Sequence, residues 1–313
     1  MYDVVCIGKA AVDDFYRVAK LPQDDEKVFA SHVGPILGGL TFNTARALRR
    51  LQDHVLFVTP LGSDDNSVLV RQGFEDLDLS TKILYDERFA SYATLVMVAE
   101  SGEKAILLFD TDANQDAIAA KFADLEPEDT QVVFTALTIP ALAYLEKYGG
   151  ATPIVTSVEV GTMESYPQAI EWAKKNAHTM VLDRYSFQRM FDEKVTEAHL
   201  HDAAQTAGLS MENLIVTLGA RGTIAYSASQ QAVTFVESFE VDVVDPTGAG
   251  DIFNAAFLHS YYLQKLPLAE ALRFSNAIAG ASCEEFGPDL SPDAIRKAES
   301  WLSRTDHDTK EEV

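Results

Sequence analysis

Continuous apolar runs recur along the chain at Asp3–Gly8 (Asp-Val-Val-Cys-Ile-Gly), Val55–Gly62, Gln131–Ala136, Pro153–Val158 and Thr179–Leu182. Short runs of this kind, without polar alternation, read as strands covered on both faces. From about residue 129 they alternate with helical stretches, Pro140–Tyr148 and Ser165–Lys175. Strand–helix alternation predicts an α/β fold with a mostly parallel central sheet and helices on both faces. Two segments break the rhythm. Residues 15–36 alternate weakly around Pro22 and the polar run Gln23-Asp24-Asp25-Glu26-Lys27, which predicts two strands with no helix between them. Tyr92–Ala99 and Lys104–Phe109 flank Glu100-Ser101-Gly102-Glu103 as a hairpin. These strand-only excursions, at about 12–36 and 88–112, predict a small separate sheet. No repeat or low-complexity linker divides the rest, so residues 1–313 are read as a single domain with that appendage.

Helical spacing appears at Phe42, Ala45, Leu48 and Leu51, with Thr41 as the expected N-cap. A second helix follows Ser63-Asp64-Asp65 and runs to about Asp76, and Leu268–Glu284 and Ser291–Leu302 are helical near the end. His307–Val313 is polar and expected to fray. The stretch Ile252–Leu263 differs from these because it is apolar nearly all round, as a helix buried in a core would be. Its mouth reads Asp245-Pro246-Thr247-Gly248-Ala249-Gly250-Asp251. Two glycines there let the backbone turn sharply, and the bare N–H groups sit at the positive end of the helix dipole, which suits an anion. Asp251 would repel a phosphate, so it makes better sense as a base taking a proton from a hydroxyl that attacks that phosphate. On local physics alone, a glycine-rich turn with an acidic first-turn residue also fits.

Composition narrows the classes. Apolar content of 47% and charged content of 23% are ordinary for a soluble globular chain. No apolar run is long enough to span a bilayer and Met1-Tyr2-Asp3-Val4-Val5 has no basic leader, so a cytoplasmic protein without membrane contact is expected. Cys6 and Cys283 lie among apolar residues, as buried thiols in a reducing compartment would, and no Cys/His cluster has metal-ligand spacing. A net charge of −23 opposes nucleic-acid binding. There is no G-x-x-x-x-G-K-[ST] loop, no protein-kinase motif set and no G-x-S-x-G, and Gly248-x-Gly250-x-x-Phe253 lacks the third glycine of a dinucleotide site.

The 245–251 stretch closely resembles the D-T-x-G-A-G-D signature of the ribokinase-like (PfkB) carbohydrate kinases, with Pro246 where threonine is common. Gly38-Gly39-Leu40-Thr41-Phe42-Asn43 matches the family pattern G-G-x-x-x-N, and Gly8-Lys9-Ala10-Ala11-Val12-Asp13 matches G-x-x-x-x-D, Asp14 being a rival for the aspartate. The pairing of motifs, over nearly the whole chain, makes the resemblance specific. It implies a ribokinase-like fold in which the strand-only excursions form a lid that doubles as a dimer surface. It implies Asp251 as catalytic base and the Gly248, Ala249 and Gly250 amides as an anion hole. It further implies Asp13, Gly38, Gly39 and Asn43 as acceptor-binding residues. Thr217, Gly219 and Gly222 match T-L-G-x-x-G, and with Asn276 they are implied as nucleotide-side residues. ATP and Mg²⁺ are implied, together with a monovalent cation such as K⁺ near Asp245 and Thr247. The family's N-x-x-E is not matched, because Asp183 and Ser186 stand at the corresponding positions. The expected function is an ATP-dependent kinase acting on a hydroxyl of a sugar or polyol. A nucleoside or phosphosugar kinase, with Lys9, Lys27 and Arg88 as candidate cations, and a non-catalytic ligand-binding member remain as alternatives.

Overall fold

In the computed structural model the described residues are 1–109, 115–206 and 210–308. The last lid residues, 110–112, and the polar tail at 309–313 lie outside them. Thirteen strands are present among the described residues: β1 Tyr2–Ile7, β2 Ala11–Val18, β3 Ala30–Gly38, β4 Val55–Leu61, β5 Ser80–Tyr85, β6 Tyr92–Ala99, β7 Lys104–Leu108, β8 Thr130–Thr135, β9 Ile154–Val158, β10 Thr179–Asp183, β11 Asn213–Thr217, β12 Thr223–Ser227 and β13 Ala232–Val236. Nine form one sheet in the order β13-β12-β11-β10-β9-β8-β1-β4-β5. It is parallel from β11 to β5, and β12 and β13 extend it as antiparallel edge strands.

The apolar runs are continuous because both faces of this sheet are covered, and residues alternate between two cores. Val4, Cys6, Phe57, Val132 and Phe134 face one side, under the helices Leu40–Arg50, Ala249–Phe257 and Leu268–Ser282. Val5, Ile7, Leu56, Val58 and Val133 face the other, against Ile118, Phe122, Tyr144, Ile170 and Phe187. Ile252 to Phe257 are all buried, as the all-round apolar pattern requires, and the helix then loosens into a π-turn over Leu258–Leu263.

Strand β1 is the switch point. The chain builds β4 and β5 on one side of it and β8 to β11 on the other, leaving a crevice beyond the carboxyl ends where such folds hold ligands. Here the chain leaves for a second sheet of order β3-β2-β6-β7, in which β2 pairs antiparallel with β3 and parallel with β6, and β6 with β7 is the expected hairpin. This small sheet stands over the crevice as the lid. Two sequence expectations shift. Asp13 lies within β2 rather than on a loop, because the chain passes from β1 into the lid with only three residues between. Thr41 is inside its helix instead of capping it: Gly39, at φ 100°, starts the helix, a conformation that suits glycine. Among the described residues no helix is long and apolar enough to cross a membrane.

Candidate active site

The paths into and out of the lid cross at the crevice, and glycine permits the crossing. A Cβ on Gly8 would stand 2.1 Å from Thr41 Oγ1, and one on Gly39 would stand 2.8 Å from the Lys9 carbonyl. A Cβ on Gly38 would stand 2.1 Å from Oδ2 of Asp13. The two sequence motifs are therefore packed against each other. Asp13 Oδ1 accepts a 2.6 Å hydrogen bond from Thr94 Oγ1 on β6. Burial pushes its carboxyl up from the ordinary range, against the pull of Thr94 and Arg46.

Asn43, on the first turn of its helix, meets the third motif. Its Nδ2 donates to Asp251 Oδ2 at 2.7 Å, and Thr44 Oγ1 donates to the Asp251 carbonyl at 3.2 Å. The orientation of the Asn43 amide is set from behind. Arg46 Nη2 donates to Asn43 Oδ1 (2.8 Å) and to the Pro288 carbonyl (2.9 Å), so only the amide nitrogen of Asn43 can turn to Asp251. Burial pushes the Asp251 carboxyl up to about 8; Asn43 and Arg46 hold it down, while Glu159 and Asp13 raise it further. That value lies near neutrality, where a general base works best.

Gly248 precedes the Asp251 helix at φ 79°, and a Cβ there would stand 2.6 Å from Pro288 Cβ. The Ala249 N–H donates to the Pro246 carbonyl at 3.2 Å, whereas those of Gly248 and Gly250 meet no backbone acceptor among the described residues. Gly250 faces open space. The helix head thus offers Gly248 and Gly250 more freely than Ala249.

Three cavities converge here. One of about 230 Å³ lies under the lid, lined by Lys9, Asp13, Gly39, Tyr92, Thr94 and Phe109 among others. A cleft of about 410 Å³ runs along the strand ends past Glu159, Asp183, Thr217, Gly219, Gly250 and Asp251. The third, about 230 Å³ and mostly apolar, is bounded by Thr217, Gly219, Gly222, Phe239, Ala249, Gly250 and Asn276. Gly250 borders both of the last two. Asn276 reaches its pocket already committed: Oδ1 accepts from Thr223 Oγ1 (2.7 Å) and Nδ2 donates to the Val236 and Glu237 carbonyls (3.1 and 3.2 Å). It shapes that wall and has little left to offer a ligand. The half-buried Cys283, which also lines this pocket, stays a thiol because burial raises its pKa.

Several participants carry no signal in the sequence motifs. Arg46 stands one helical turn beyond Asn43, a spacing that pairs them without revealing Pro288. Glu159 follows β9 and faces the cleft beside Asp183; burial raises its pKa first, then repulsion from Asp183, against the attraction of Lys9. Asp183 caps the next helix, accepting from the Ser186 N–H at 2.6 Å. Lys104, at the start of β7, donates to Thr247 Oγ1 (2.6 Å) and Asp245 Oδ1 (3.2 Å), joining the lid to the glycine loop. Of the other candidate cations, Lys27 is exposed and Arg88 is paired with Asp86 at 2.9 Å.

The model of the pfkB family carbohydrate kinases matches residues 1–295. A ribokinase of Staphylococcus aureus is 25% identical, covering 92% of this chain and 95% of its own length. A deoxyribokinase of Salmonella typhi is 26% identical over 96% of this chain and 99% of its own. The fold is also that of Arabidopsis thaliana ribokinase complexed with ribose and ATP, at a TM-score of 0.76 and 20% identity, covering 95% of this chain and 98% of that one. With its buried carboxylate, its glycine loop and its second sheet at one crevice, the chain belongs to the pfkB family of carbohydrate kinases and is a phosphotransferase with an alcohol group as acceptor.

Proposed function

We propose that this protein transfers the γ-phosphoryl group of ATP to a hydroxyl of a small sugar or polyol held beneath the lid. The observation that carries this reading is the position of Asp251. It is a largely buried carboxylate with its pKa raised to about 8, tied to Asn43 at 2.7 Å and lining the strand-end cleft beside Gly250 at the helix head. Asp13 and Asn43 bind acceptor hydroxyls, with Gly38 and Gly39 giving the room they need. Asp251 accepts the proton of the attacking hydroxyl. The free amides of Gly248 and Gly250, with Ala249 as a weaker third, stabilise the charge of the migrating phosphoryl group. The nucleotide lies along Thr217, Gly219 and Gly222, its base against the apolar pocket that Asn276 helps to shape. Lid closure excludes water. At about 230 Å³ the acceptor cavity falls below the roughly 300–1,000 Å³ of drug-sized sites. That suits one small sugar better than a nucleoside.

Magnesium, when bound with the nucleotide, neutralises phosphate charge. The donor set fits it without the family's N-x-x-E, because Glu159 and Asp183 face one cleft and repel one another. A hard cation that keeps most of its ligands as water and phosphate needs no more than such a pair. For a monovalent cation the geometry points elsewhere: the Lys104 ammonium stands on the Asp245 and Thr247 oxygens. The wild-type enzyme should respond less than twofold to exchanging K⁺ for a tetraalkylammonium ion, and Lys104→Ala should acquire a K⁺ dependence. A strong K⁺ response in wild type would reject the substitution of ammonium for ion. We also expect a homodimer through the lid, whose outer surface exposes Phe29, Val33 and Leu107.

Coupled ADP release over pentoses, ketoses, keto-deoxy acids, nucleosides and sugar phosphates tests the reading. Turnover above background with a sugar supports it. Ligand binding without turnover across the whole panel would favour a non-catalytic member of the fold.

A further inference from the structure

The cavity beneath the lid holds a cation for which phosphoryl transfer to a neutral sugar has no use. Lys9 is the residue after Gly8 at the end of β1. Its ammonium stands 4.5 Å from the centroid of the Tyr92 ring, which fixes it against the cavity wall, on the same wall set as Asp13 and Gly39. Among the described residues it makes no hydrogen bond and no ion pair. The neighbouring cations are spent: Arg46 on Asn43 and Pro288, Lys104 on Asp245 and Thr247. An ammonium half-shielded from water, with no carboxylate within ion-pair distance among the described residues, costs free energy that a methionine or leucine at this place would avoid. Burial lowers the Lys9 pKa, and Glu159 at longer range opposes that. The unmet requirement is an anion, and the space in front of the ammonium is the space the acceptor enters.

We infer that the acceptor is an acidic sugar, a sugar acid or sugar phosphate, whose anionic group seats on Lys9 while its hydroxyls lie against Asp13 and Asn43. This rests on the reading of the lid cavity as the acceptor site. The same arrangement orients the molecule. Asp13 and Asp251 repel the anionic end and Lys9 draws it, so the end that carries the reacting hydroxyl is presented to the base.

The experiment compares wild type with Lys9→Met, which keeps the length and the apolar contact with Tyr92, and with Lys9→Arg, which keeps the charge. Lys9→Gln replaces Lys9→Met if the latter does not fold. Six probes are used: ribose and fructose, gluconate and 2-keto-3-deoxygluconate, ribose 5-phosphate and fructose 6-phosphate. Turnover is read by ADP release and binding by calorimetry. A hydrogen bond to a charged partner corresponds to about 10- to 100-fold in affinity. Wild type should therefore prefer one acidic class over its neutral counterpart, and Lys9→Met should reduce that preference, as a ratio of kcat/KM, by about 10- to 100-fold. Most of the loss should fall on KM, and Lys9→Arg should restore part of it. Which arm responds, the carboxylates or the phosphates, identifies the source of the anion. A preference for neutral sugars, or an acid-to-neutral ratio that is the same in wild type and Lys9→Met, overturns the inference. If no probe turns over, calorimetry still decides: acidic sugars bound by wild type and lost in Lys9→Met uphold the role of Lys9 and reject the kinase reading, and no acidic sugar bound rejects the role of Lys9.

Discussion

Replacing Asp251 with Asn should lower kcat by about 10² to 10⁴, the contribution of a positioned general base, while making the protein more stable. The two effects share one cause. The asparagine keeps an oxygen to accept from Asn43 Nδ2, so the 2.7 Å contact and the helix head survive. What is lost is the capacity to take a proton from the attacking hydroxyl. Wild-type kcat/KM should rise with pH toward about 8 and level off above it, because the base must be ionised to work. The variant should lack that limb. A variant with near-normal kcat, or one with the same acidic limb as wild type, would show that another group is the base.

The stability effect follows from the sign of the shift. The Asp251 carboxyl is raised from 3.8 in an unfolded chain to about 8 in the folded one, so across that interval the native state binds the extra proton. The favourable contribution is complete below 3.8 and is lost as pH climbs through about 8. Above that, the protein holds a buried carboxylate at a cost on the order of a few kcal/mol. The amide that takes its place in the variant has no such titration. The variant's advantage in Tm over wild type should therefore be small near pH 4, grow steadily, and be largest above pH 8, on the order of several degrees. Melting curves of both proteins across this range check the slope. An advantage that shrinks with pH would mean that Asp251 is ionised and well paired in the folded enzyme.

How much of this site could be read in advance depended on whether partners lie close in sequence or are brought together by the sheet. The glycine loop with Asp251, the Gly38–Asn43 turn and the hairpin of β6 and β7 are local patterns, and each lies where its spacing implied. Thr41 looked like a cap because hydroxyl residues commonly are, but the close approach of Gly8 and Thr41 needs the helix to begin earlier. Asn276 lines the same apolar pocket as Gly219 and Gly222, a neighbourhood that the family resemblance implied and its helical spacing alone did not. That its amide serves the carbonyls of Val236 and Glu237 depends on how β13 ends, which no spacing rule reports. Glu159 and Asp183 face each other because β9 and β10 are neighbours in the sheet. Lys104 finds Asp245 across 141 residues because the lid folds back. Such encounters are made by topology, and composition or periodicity does not encode them.

Gly248→Ala should damage catalysis well beyond its own position, because two independent constraints fall on that atom. At φ 79° a side chain strains the backbone, at about 1–3 kcal/mol. The new Cβ would also stand 2.6 Å from Pro288 Cβ and 2.8 Å from its Cα, and a proline backbone has little freedom to retreat. The displacement would not end at Pro288. Its carbonyl accepts from Arg46, the same guanidinium nitrogen orients Asn43, and Asn43 holds Asp251. One methyl therefore disturbs the anion hole directly and the base through three hydrogen bonds. A loss of roughly 10²–10³ in kcat is expected, the cost of removing one oxyanion-type donor, together with a lower Tm. Gly38→Ala supplies the contrast: the three atoms nearest its Cβ all belong to the Asp13 carboxylate, so it should raise the acceptor KM and leave the nucleotide KM nearly unchanged. Steady-state kinetics in both substrates, with melting curves, separate the two. If Gly248→Ala keeps kcat within about threefold of wild type, the amides at this helix head are not what stabilises the transferred phosphoryl group.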